Sequence, residues 1–130
     1  MSTAKKFTIL FLAFLALKDL SLGASLLLKL QWLLALAKMN YSPDVKITAT
    51  FFGVCVLIVS SLCMLTINWV IKDKADGVSL AKFIGWWMVI ASTIVYLKID
   101  RMDYAAIDFL SGVLILIPAY FVKPDIQVTG

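Results

Sequence analysis

Three charged side chains fall inside apolar stretches: Lys18 and Asp19 in LFLAFLALKDLSLGASLLLKL, and Asp108 in DYAAIDFLSGVLILIPAYF. An ionised group at membrane depth is costly, so such residues face protein or water, and they mark ion pairs, proton relays or solute paths. Lys18, Ser21, Ser25 and Lys29 recur at steps of three or four, which sets them along one helix face as a polar row in aliphatic sequence. Lys18 and Asp19 are neighbours about 100 degrees apart around a helix, so they are not expected to neutralise each other face to face. The expected partner is Asp108, whose helix enters from the side on which the first one ends; Lys29 then lies near its depth and Lys18 deeper. Two chemistries follow. One is a structural network that locks the first helix against the last or against another subunit; the other is an ion or solute path.

The residue types that are missing narrow the chemistry further. There is no histidine, which excludes histidine-ligated haem, histidine-containing zinc or copper sites and serine-histidine triads. All eight acidic residues are Asp, which excludes a glutamate-centred di-iron bundle. Cys55 and Cys63 are eight residues apart in one apolar run, about 12 Å along a helix axis, too far for an intrachain disulfide. They read as small buried hydrophobes. No phosphate loop, dinucleotide fingerprint or paired-cysteine metal motif occurs. No catalytic residue, metal or cofactor is expected, and a general base would have to be Asp, Lys, Tyr or Cys without a visible nucleophile beside it.

The solvent in which these residues work follows from composition. Apolar residues make up 62% of the 130 and charged residues 15%, with a mean hydropathy of +0.98, more oil than a soluble domain of this size covers. Hydrocarbon is therefore the expected surroundings. The net charge of +4 comes from eleven Lys and Arg101 scattered at the edges of apolar segments, which suits anchoring at anionic headgroups and gives no clustered face for nucleic acid.

The expected fold is all-α, an integral membrane bundle of four transmembrane helices running up-down-up-down as one domain over residues 1–130. The spans fall near 7–28, 47–71, 79–99 and 104–122. The second is clearest, since Ile47 to Ile71 carries no charge and exceeds the roughly 20 residues that cross a bilayer. In the third, Phe83 to Leu97 rises only about 22 Å, so snorkelling by Lys82 and Lys98 and the residues from Val78 complete it. KIDRMD joins the third and fourth as an antiparallel hairpin, and Pro118 kinks or helps end the fourth. As a single helix, residues 5–38 would reach about 51 Å, so the first crossing is placed before Lys29 and residues 29–38 at the interface; a crossing from Leu20 to Ala37 is the alternative. Lys5-Lys6 before an apolar run has the look of a secretory signal, but no small-residue cleavage site follows, and a retained helix is expected. Pro43 and Gly77 are expected in the turns KMNYSPDVK and KDKADGV.

Gly53, Ala81, Gly85 and Gly112 are expected at close helix contacts, and Ser60, Ser61, Thr66, Asn68, Ser92 and Thr93 as hydrogen-bonding groups between helices. Trp32, Trp69, Trp86 and Trp87 are expected as interface anchors. Six positives on one side against five on the other favour cytoplasmic termini by one residue, in a plasma or bacterial-type inner membrane. With almost no mass outside the apolar segments, the expected role is a non-enzymatic membrane subunit or helper that packs against a larger complex or against itself. The alternative is a minimal oligomeric ion or small-solute transporter or channel using Lys18, Asp19 and Asp108.

Overall fold

The computed structural model describes residues 2–99 and 102–122. Among these residues it contains five helices and no strand: α1 Thr3–Leu28, α2 Leu30–Leu36, α3 Pro43–Ile71, α4 Ala75–Ile99 and α5 Met102–Phe121. Helices α1, α3 and α4 are long and apolar enough to cross a membrane. The fourth expected crossing is shorter. Its apolar helical stretch, Ala105–Phe121, rises about 25 Å, less than the roughly 30 Å of a hydrocarbon core.

Local chemistry sets where each helix starts and stops. Ser2 caps α1, its Oγ accepting the Lys5 N–H at 3.2 Å. The helix ends at Leu28 because Lys29 leaves helical backbone, at φ −135° and ψ 44°, and α2 starts afresh one residue later. Helix α3 opens on a cap as well: Ser42 Oγ accepts the Val45 N–H at 3.1 Å, Pro43 takes the first helical position and Asp44 sits in the first turn. Pro43 therefore begins a helix where a turn was expected. Helices α2 and α3 both close on a residue with left-handed backbone, Lys38 and Asp73, each at φ 56°. Around Asp73, its own N–H bonds the Val70 carbonyl at 3.1 Å and Lys74 N–H bonds Trp69 at 3.0 Å, the paired closure more often built on glycine. Gly77, also expected in this turn, lies inside α4 without positive φ. It is there for space: a Cβ on it would meet Trp69 C and Val70 N at 2.8 Å.

The fold comprises two compact units, one of Met1–Phe14 with Cys63–Gly130, the other of Leu15–Leu62. In the second, α1 and α3 run antiparallel, Ala16 opposite Ser60 and Gly23 opposite Gly53. In the first, α4 and α5 form an antiparallel hairpin in which Gly85 faces Gly112 and Leu116. Along α3 the buried positions are Ala49, Gly53, Val56, Ser60, Cys63, Thr66 and Val70, a run of small side chains at steps of three or four. Its outer positions include Phe51, Phe52, Ile58, Met64 and Leu65. Small residues on the inside and large apolar ones on the outside are the pattern of helices that associate in lipid.

In the first unit a charge holds α1 to the end of α3. Lys5 is only 8% exposed. Its ammonium pairs with the Asp73 carboxylate and donates to the Ile71 carbonyl at 3.4 Å, a carbonyl that the end of the helix leaves without an intrahelical donor. A cation at a helix C-terminus also complements the helix dipole. The same carboxylate belongs to the residue held in left-handed backbone, so one lysine steadies both the strained turn and the helix end.

Two outcomes are expected from substitutions. Gly112→Ala puts a Cβ 2.7 Å from the Gly85 carbonyl oxygen and 3.0 Å from Val89 N, backbone atoms that cannot step aside, whereas the nearest atoms to a Cβ at Gly53 are Leu26 Cβ and the movable end of Leu27, at 3.1 to 3.3 Å. Thermal unfolding in detergent should show Gly112→Ala destabilised by about 1–3 kcal/mol and Gly53→Ala by less than about 1 kcal/mol; equal midpoints would contradict this packing. Lys5→Met keeps the stem and strands Asp73 and the Ile71 carbonyl, and should lose about 1–2 kcal/mol because the carboxylate is part-exposed.

Candidate functional site

The most buried charge on α1 is Asp19, 4% exposed, and it sits on the same face as Leu12, Leu15, Ala16 and Leu26. Lys18 lies half-buried beside it with Nζ 3.6 Å from Asp19 Oδ1. Although the two side chains leave the helix about 100 degrees apart, the four-carbon lysine stem bends around the helix and brings its ammonium within ion-pair distance of the adjacent carboxylate. At 3.6 Å the contact is an ion pair without the closeness of a strong hydrogen bond. The main-chain neighbourhood is also polar. One turn earlier, Ser60 of α3, 2% exposed, donates its hydroxyl to the Ala16 carbonyl at 2.8 Å.

The polar row does not continue into this buried seam. Ser25 is half-buried, and Ser21 and Lys29 are exposed on the outer surface of the second unit. Asp108 belongs to the first unit, half-buried on the face of α5 that carries Ala105, Ser111, Gly112 and Ile115. The structure thus brings Lys18 and Asp19 together, while Ser21 and Lys29 stay on the exposed side of their helix end and Ser25 is half-buried.

Of the hydroxyls expected to bond between helices, Ser60 does so. Ser61 donates to Leu57 at 3.0 Å, Ser92 to Val89 at 2.9 Å and Thr93 to Val89 at 2.8 Å, each on its own helix, where the nearest carbonyl lies one turn back. Gly53 abuts Leu26 and Leu27, Gly85 abuts Leu116 and Gly112, and Ala81 is fully buried on α4. Trp32, Trp86 and Trp87 are exposed, while Trp69 is half-buried with the Lys74 ammonium 5.5 Å from its ring centre. Cys55 is exposed, contrary to the expected burial of both thiols, because it lies off the small-residue seam that holds Cys63.

The sequence marks Lys5 only as half of the basic pair ahead of an apolar run, whereas the structure buries it. A signal existed: Lys5, Thr8, Leu12, Leu15 and Asp19 follow the three-and-four spacing of one helix face. What sequence does not show is Asp73, 68 residues away. Among the described residues, no group of three or more metal-ligating side chains converges.

The chain matches no protein-family model, no characterised protein and no solved structure. Function must therefore be argued from these residues.

Ser60→Ala removes a hydrogen bond between two helices and should cost about 0.6 kcal/mol of stability in detergent, whereas Ser61→Ala, which loses a bond within its own helix, should leave the midpoint unchanged. The order of the two midpoints is the check.

Proposed function

We propose that this chain is an integral membrane protein that works as a non-enzymatic subunit or helper, its helices packing against another membrane protein or a second copy of itself. Three helices long and apolar enough to cross a bilayer support the membrane setting. The observation that carries the subunit reading is the row Ser21, Ser25 and Lys29, which its own unit leaves uncovered at two of three positions. Hydroxyls on a lipid-facing surface gain nothing from acyl chains, whereas against a neighbouring helix they gain hydrogen bonds. The Lys18–Asp19 pair serves this role as a fixed polar point at the edge of that surface. In this reading α5 is a short fourth crossing that relies on tilt of its neighbours or local thinning of the bilayer.

The test is purification in mild detergent with measurement of mass by light scattering. Wild-type protein should run as an assembly larger than one copy, and Ser21→Leu with Ser25→Leu should shift it toward the single chain while helix content by circular dichroism stays constant. A wild-type protein that is a strict monomer and brings no other membrane protein with it would contradict the reading.

A further inference from the structure

At one end of the α4–α5 hairpin three polar side chains meet. Trp86 Nε1 donates to Tyr120 Oη at 2.9 Å, and the Lys82 ammonium lies 4.5 Å from the centre of the Tyr120 ring. Because Tyr120 Oη accepts from the indole, its own O–H is left to donate elsewhere. Among the described residues, neither that O–H nor the Lys82 ammonium meets an acceptor oxygen, and Tyr120 is 56% exposed. Two donors, one of them cationic, are thus held together by two rings that restrict their motion, which reduces the conformational cost of binding an anion.

The depth of this cluster follows from the sequence around it. Lys82 is the last charge before the uncharged run Phe83 to Leu97, so in a bilayer it lies at the edge of the hydrocarbon. Phe83 on the next face and Phe121 beside Tyr120 are strongly exposed apolar rings suited to the acyl side of that boundary.

We propose that Lys82 and Tyr120, positioned by Trp86, form a binding site for the phosphate of an anionic phospholipid. The phosphate oxygens accept from the Lys82 ammonium and the Tyr120 hydroxyl, and the upper acyl chain lies along Phe83 and Phe121. A zwitterionic lipid brings its own cation to the same place and is disfavoured beside Lys82. The site rests on the membrane setting proposed above and not on the subunit role.

Native mass spectrometry of the protein released from bilayers of equal phosphatidylglycerol and phosphatidylcholine tests it. Retained lipid should be enriched in phosphatidylglycerol by about fivefold, the preference that one lysine at an anionic surface gives. Lys82→Gln should abolish most of this enrichment, and Tyr120→Phe, which keeps the ring and loses only the donor, should reduce it about two- to threefold; Lys46→Gln on α3 should leave it unchanged. Millimolar inorganic phosphate added before release should not displace the lipid. Enrichment that is absent, that survives both Lys82→Gln and Tyr120→Phe, or that free phosphate competes away would overturn the proposal. Because lipid is counted per chain whatever the assembly, a monomeric protein that still retains phosphatidylglycerol separates this site from the subunit reading.

Discussion

In the proposed membrane setting, hydrocarbon relieves large apolar side chains of the need to turn inward, and the arrangement of α3 follows from that constraint. On α3, Phe51, Phe52, Ile58 and Met64 stand outside while Gly53, Ser60, Cys63 and Thr66 form the buried face, against which other helices bury leucines such as Leu26. What holds helices together in such surroundings is close backbone approach and hydrogen bonding, since the hydrophobic drive is already satisfied. The contact of Gly85 with Gly112 supplies the first and the Ser60 bond to Ala16 the second.

The same constraint explains how charges are treated. Lys5 and Asp19, both buried, each have an opposite charge at hand, Asp73 and Lys18 respectively. Water would make these pairs nearly neutral in energy, but away from water an unpartnered charge is so costly that the pairing becomes a condition of burial. The two pairs nevertheless do different work. Lys5 reaches a residue 68 positions on and secures the end of another helix, whereas Lys18 reaches its own neighbour. The first fixes tertiary structure in its unit; the second leaves a polar point next to the exposed Ser21.

The chain's helical character and its long apolar segments were legible from residue types, because a run without charge or proline from Ile47 to Ile71 has few alternatives. Turns were read less well. Pro43 and Gly77 were assigned to loops on their general preference, but proline also fits the first position of a helix and glycine also fits wherever two backbones nearly touch. The polar residues showed the sharpest limit. Periodicity drew attention to Lys18, Ser21, Ser25 and Lys29 as a row, yet the buried face passes through Asp19 and misses Ser21 and Lys29. Helical geometry gives the angle between side chains; the neighbouring helix decides which angle is covered. The Lys5 partnership depends on a distant turn and was beyond any local pattern.

The claim underlying all of this is that the outward aliphatic and aromatic side chains face acyl chains. It is tested most directly with nitroxide labels placed one at a time at Phe14, Ile58 and Ile90, outward positions on α1, α3 and α4, in protein reconstituted into liposomes. Power saturation should show frequent collision with oxygen and little with a water-soluble nickel chelate at all three. Ready collision with the nickel chelate at these positions would mean that water surrounds the helices, and would contradict the account.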